Sequence, residues 1–422
     1  MNSFTMSQAL VNTRSSLRLM PVRRAALEQF IAHGLPTSHE EDWKYTSLGH
    51  LEKTEWHTPE GAPIVSNVVL GTEEYPGEVM HFSNGHLNEA SPQACYARSL
   101  AKQADSAPVV QHLDTLTRAT ALTQLNSALW QDGLFLHVST KDTSADASAP
   151  LFAVYSAGEA GAMLHLRNLI VLEAGAEMLL VEHYRGTPDL AYWNNPVTEI
   201  VLGEGARLTH LKLTEDSAAA THTGLTVVQQ ARDSCYRALS VNLGGRLLRQ
   251  DVEVNLMGDG AECRLDGLFI ADARRHIDQH LHIEHAASHT TSRQAWRGIA
   301  AGRGRGIFDA RVVVQPDAQH ADAQQASANL LLSPHAEIDV KPQLEIYTND
   351  VQCGHGAAVG QLDEAQIFYL RSRGISADVA RALLLRGFAD AALGLLKDTG
   401  LAEWLEPHLT AALPRLEQER AA

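Results

Sequence analysis

The sequence is poor in cysteine. Cys95, Cys235, Cys263 and Cys353 are the only four in 422 residues, and no two form a C-x-x-C pair. Scattered thiols exclude a disulfide framework and a self-contained zinc or iron–sulfur site, both of which need thiolates grouped at short intervals. Any cysteine-bound metal would take its other ligands from elsewhere, or from another chain. Positive charge is also scarce: 34 Lys and Arg against 50 Asp and Glu leave a formal charge of −16. Such a surface repels phosphate backbones, so nucleic acid is not an expected partner. No apolar run approaches the ~20 residues of a membrane span. The N-terminal "MNSFTMSQALVNTRSSLRLM" lacks the unbroken apolar core of a secretory signal, so a cytoplasmic location is expected. GxSxG, HExxH and a GxGxxG in strand–helix context are missing as well.

What is present is a 45% hydrophobic chain that divides into three regions. Residues 1–133 read as helical. "VRRAALEQFIAHG" sets Ala26, Leu27, Phe30 and Ile31 on one face and ends at Gly34. Ser38 and Glu41 have capping-box spacing. "ATALTQLNSALWQDG" gives a helix with a stop at Asp132-Gly133, and "STKDTSADASAP" an exposed loop. Residues 134–360 consist of short alternating runs bounded by turn residues. "VLEAGAEMLLV", "IVLGEGARLTHL" and "VNLMGDGAECRL" repeat one turn pattern around Gly175, Gly205 and Gly260. Stacked strands of a β-solenoid or a β-sandwich fit this pattern equally. Residues 361–422 return to helix. Val379, Leu383, Leu384, Phe388 and Leu395 form an apolar stripe, Ser376 is placed to cap, and Arg371, Arg373, Arg381 and Arg386 add a basic element suited to docking.

Three stretches carry candidate chemistry. "NDVQCGHGAAVG" puts Cys353 and His355 two residues apart, on one face of a strand. Gly354 and Gly356 leave room for a close approach by a backbone or ligand. A nucleophile–base pair needs a third orienting group, and a metal needs more than two ligands. The residues therefore fit a half-site completed by another subunit, or simply a buried strand end. "RRHIDQHLHIEHAASH" aligns His276, Asp278, His280, His282 and Glu284, which reads as the solvent face of a strand buried through Ile277, Leu281 and Ile283. "AAGRGRGIF" is basic and Gly-rich without the GK[ST] of a phosphate loop, and reads as a flexible hairpin.

The stretch from "RGIFDARVVVQPDAQH" through "NLLLSPHAEIDVKPQLEIYTNDVQCGHGA" to "FYLRSRGIS", with "HEEDWKYTSL" near the N-terminus, closely resembles the SufD family of the SUF iron–sulfur cluster assembly system. "CGHG" resembles SufD rather than its paralogue SufB. The resemblance implies a mainly β protein, with a right-handed parallel β-helix core between N-terminal and C-terminal helical regions. It implies pairing with SufB and docking of the SufC ATPase on the C-terminal helices through Arg371, Arg373, Val379, Leu383, Arg386 and Phe388. It implies no enzymatic activity and no permanently bound cofactor. A transient Fe–S cluster would form at the SufB–SufD interface, with His355 as a ligand and Cys353 beside it. A homodimer of the isolated chain stays open. So do two other readings: a Cys-dependent enzyme using Cys353 with His355, and a purely structural partner of SufB.

Overall fold

A computed structural model describes residues 19–59, 75–89, 91, 96–142, 149–397 and 399–413. Cys95, residues 1–18, and the centre of the 139–150 loop lie outside the described residues.

Strands of the middle region alternate between two sheets. One is ten-stranded and runs to the terminal strand Gln352–Gly360; the other is eleven-stranded and runs to Glu337–Ile346. Pairing between successive turns is parallel and in register, as in Gln230 opposite Leu256 and Leu256 opposite His285. A sandwich built of hairpins would pair antiparallel, so the fold is a parallel β-solenoid, of about seven turns.

The corners explain the repeat. Gly175, Gly205 and Gly260 have positive φ, and Asp233, His289 and His320 adopt the same conformation between and after them. Each lies roughly thirty residues from the next. The backbone N–H of each donates to the carbonyl preceding the next corner, from Gly175 to Glu204 (2.8 Å) through His289 to Gln319 (2.8 Å) and His320 to Asp350 (2.7 Å). Asp and His tolerate left-handed backbone better than β-branched residues do, so the repeat persists where glycine is absent. "AAGRGRGIF" is another such corner, not a hairpin: it joins Thr291–Ala300 to Arg305–Val314, which belong to different sheets.

Inward residues fill the solenoid, and glycines there make room for rings. A Cβ on Gly267 would lie 2.4 Å from the Trp296 ring, and one on Gly298 or Gly306 within 2.2 or 2.4 Å of Phe269. Gly267→Ala is therefore expected to cost about 1–3 kcal/mol by overpacking, read as a lower urea midpoint at unchanged slope.

Outward faces are covered at both ends of the chain. N-terminal helices pack Leu27, Phe30, Leu51 and Leu129 over Trp193 and Leu247. In helix Met20–His33 the buried face is Arg23, Ala26, Leu27 and Phe30, and Ile31 is exposed. Arg23 takes the place expected for Ile31, because its guanidinium stacks 4.2 Å over Trp130 and donates to the carbonyls of Ala128 and Trp130. The Ser38–Glu41 capping box does not form; Glu40 accepts the Thr37 N–H instead (2.8 Å). Helix Ala121–Leu129 ends before Asp132, whose carboxylate instead accepts from the N–H groups of Leu87, Ala101 and Gly133.

C-terminal helices cover the outer face of the ten-stranded sheet, where Leu385, Ala389, Trp404, Leu405 and Leu409 meet Phe152, Val181, Leu211 and Leu239. Helix Ala377–Asp390 buries Ala380, Leu385 and Ala389, while Val379 and Leu383 are about half exposed, at 52% and 51%. Val379 and Leu383 of the stripe read from sequence thus lie off the buried face, whereas Phe388 and Leu395 pack against the buried cluster. Two small alanines let the helix lie close to its support, and Val379 and Leu383 turn outward.

Candidate functional site

The solenoid ends, among the described residues, without a cap. Among the described residues, Glu337–Ile346 pairs only with Arg305–Val314, and Gln352–Gly360 only with Asp322–Leu331. Each leaves one edge of backbone N–H and C=O groups unmatched, which is a template for another chain. Ile346, Tyr347 and Val359 are exposed around this end.

Strand register places Cys353 and His355. Cys353 lies opposite Ala323 and His355 opposite Gln325. Ala323, Gln325, Ser327 and Asn329 are the buried, inward row of their strand. Cys353 and His355 therefore continue an inward row on a turn that, among the described residues, no further turn covers. Cys353 is half-buried and packs against the core of the solenoid, and His355 is exposed. A Cβ on Gly356 would meet nothing within 4 Å, leaving open space beside the imidazole.

Burial raises the Cys353 thiol above its usual range, the Asp322 charge adds to this, and a hydrogen bond involving the Ala323 backbone opposes it. No hydrogen bond joins Cys353 to His355 among the described residues. A nucleophilic cysteine needs a depressed pKa and an adjacent base, and neither is found here. Cys235 and Cys263 are buried free thiols.

The docking residues divide into two groups. Arg371, Arg373, Val379 and Leu383 are exposed, beside exposed Phe368 and Tyr369. Arg386 instead holds the C-terminal helices together through Asp390 and both carboxylate oxygens of Glu406. Phe388 is half-buried under the Arg297 guanidinium, 4.7 Å from its ring. Gly374 has φ 86° at the break, and the Ser376 hydroxyl caps the second helix at the Val379 N–H.

The histidine-rich strand His276–His285 is not a plain solvent face. Asp278 is buried beneath the N-terminal region, accepts from the Thr46 hydroxyl (2.5 Å), and pairs with His280 (2.9 Å) and Arg249 (3.3 Å). Despite the opposing effect of burial, His280 and Arg249 hold its pKa down at about 2. His280 and Arg249 border a cleft of about 810 Å³ shared with Trp43, Arg118, Arg311 and Lys341. Sequence reading missed this because the cover comes from residues more than two hundred positions away.

It also missed a cluster on the opposite sheet. Among the described residues, one group of three metal-competent side chains converges: His183, Glu215 and His408. Nothing local marks it, since the three lie on separate elements brought together only by solenoid register and helix docking.

Comparison with known proteins places these features in context. Residues 154–388 match the family described as SUF system FeS cluster assembly, SufBD core domain, and residues 1–61 match the SufBD protein N-terminal region. The chain is 30% identical over 403 residues to the iron–sulfur cluster assembly protein SufD of Escherichia coli, covering 93% of each. It is 29% identical over 404 residues to a SufBD family protein of Synechocystis, covering 90% of this chain and 88% of that one. With SufD of Bacillus subtilis it shares 28% identity over 288 residues, covering 67% of this chain and 65% of that protein.

Proposed function

Because the chain belongs to the SufD family of the SUF iron–sulfur cluster assembly system, we propose that it is a non-enzymatic scaffold subunit whose uncapped solenoid end pairs with a SufB-type chain. The observation that carries this reading is the inward row at that end. Cys353 and His355 supply too few ligands for a cluster, and they stand where a partner's strands would cover them. The cluster is cargo: His355 offers one imidazole and the partner offers thiolate. A mixed ligand set binds iron less tightly than four thiolates, which suits release. Cys353 is the secondary ligand, because burial raises its thiol pKa and so adds to the cost of the deprotonation that coordination requires. The raised thiol and the missing Cys–His hydrogen bond weigh against a Cys-dependent enzyme.

The second surface, Phe368, Tyr369, Val379 and Leu383 with Arg371 and Arg373, would receive a SufC-type ATPase. Turnover there would couple to the scaffold through the helices that Arg386 and Phe388 fasten to the solenoid.

Co-purification tests both surfaces. Tagged chain co-expressed with SufB-type and SufC-type proteins is expected to retain both. Leu383→Asp with Phe368→Ala should weaken ATPase capture at least about tenfold, since each buried apolar side chain contributes about 1.5–3 kcal/mol, and leave SufB-type pairing intact. Val359→Lys should do the reverse. Retention of both partners by both variants would remove the assignment of these surfaces.

A further inference from the structure

The outer face of the ten-stranded sheet carries polar chemistry beneath the C-terminal helix that the scaffold role does not use. His183 lies in strand Glu177–Gly186, Glu215 ends strand Arg207–Glu215, and His408 projects from helix Leu401–Ala412. Glu215 Oε2 is 3.0 Å from His183 Nε2 and 2.8 Å from His408 Nδ1. All three ligand atoms lie within 4.8 Å of one another.

We propose that His183, Glu215 and His408 form a divalent-cation site, best suited to zinc, that clamps the C-terminal helix to the solenoid. Two imidazoles and one carboxylate are a recognised zinc donor set that leaves a fourth position for water. Tetrahedral zinc with bonds of about 2.0–2.1 Å keeps its ligand atoms about 3.3 Å apart. The two short separations need to open by only a few tenths of an ångström. The outer shell is in place: the Tyr75 hydroxyl is 3.0 Å from His183 Nδ1. With the ion bound, this hydroxyl can accept the Nδ1–H and so fix the tautomer that presents the Nε2 lone pair to the metal. Arg185 donates to the same hydroxyl at 3.4 Å. Trp404 walls the site, its ring centroid 5.7 Å from that of His183 and 4.9 Å from that of His408. His183 is fully buried, whereas Glu215 and His408 retain partial exposure, so an ion has an entry path.

Without metal, the Glu215 carboxylate can hold both imidazoles by accepting their N–H groups, so the clamp exists in a weaker form and the ion exchanges for protons. Its effect would be local. The helix it fastens also carries Glu406, which holds Arg386 of the ATPase-docking element. Metal occupancy would therefore stiffen the base of that surface.

The test uses chelator-stripped full-length chain bearing His355→Ala and Cys353→Ser, so that open-end ligands cannot contribute. Titrated with Zn²⁺ alone, it is expected to bind one equivalent and to melt at a higher temperature when loaded. His408→Gln should weaken that binding at least about tenfold, while the metal-free melting midpoints of variant and parent stay close. Co²⁺ should give visible ligand-field bands that Glu215→Gln removes. Absence of a saturable equivalent, or affinity unchanged by His408→Gln, would overturn the site.

Discussion

His355→Ala is expected to lower cluster yield by the co-expressed complex at least about tenfold, while leaving the melting midpoint of the isolated chain within about 2 °C. The separation follows from position. His355 is exposed on the last turn and lies opposite Gln325 in an inward row that no other described residue covers, so among the described residues its loss opens no cavity and breaks no internal hydrogen bond of the fold. Its cost falls on the cargo. Iron absorption of the purified complex and calorimetric melting of the isolated chain are the two readouts. His355→Cys supplies a different ligand at the same position, and should recover much of the yield while slowing transfer to an acceptor protein, because a thiolate holds iron more tightly. Cys353→Ala should have a smaller effect, because burial raises its thiol pKa and makes the thiolate more costly to form. Full yield from His355→Ala would leave the purely structural partner as the surviving role.

Arg167→Met should destabilise the chain by about 3–5 kcal/mol, the cost of stranding a buried charge. Arg167 is fully buried between the solenoid and the N-terminal region, and donates to Glu199 at 2.6 Å and to Asp114 at 2.7 Å. Glu199 is equally buried, and also accepts the backbone N–H groups of Asp114 and Leu116. One carboxylate thus joins a strand to the 114–116 loop, with its charge balanced by one guanidinium. Removing that guanidinium leaves Glu199 uncompensated. Adding Glu199→Gln should recover a substantial part, because a neutral amide does not require the cation. A double-mutant cycle by urea denaturation measures the coupling. A single-mutant cost under about 1 kcal/mol would show that water or another cation reaches Glu199.

Much of the fold was legible because its signals are local. The strand-rich middle, the break at Gly374 and the Ser376 cap each depend on a few adjacent residues. The corners at Gly175, Gly205 and Gly260 could be read because glycine marks left-handed backbone. Those at Asp233, His289 and His320 could not, since Asp and His occur in many other settings. The same limit produced the errors. Ile31 and Val379 fit an apolar face by spacing, but Arg23 and Ala380 hold the buried positions, because the surface opposite selects them. "AAGRGRGIF" has a hairpin's composition; only the separation of its two strands into different sheets makes it a corner.

The sequence by itself determined the class of chain: acidic, cysteine-poor, built of short strands between helical ends, with one C-x-H pair too sparse to complete a site. It also carried the family likeness, since that depends on the order of residues alone. The tertiary structure decided what those residues face. Stacking in register put Cys353 and His355 on the inward row of an uncovered turn. Docking of the C-terminal helix brought His408 to Glu215, 193 positions away in sequence, and to His183, farther still. Such relations depend on how one element lies against another, and a local pattern of side chains holds no record of the surface it will meet.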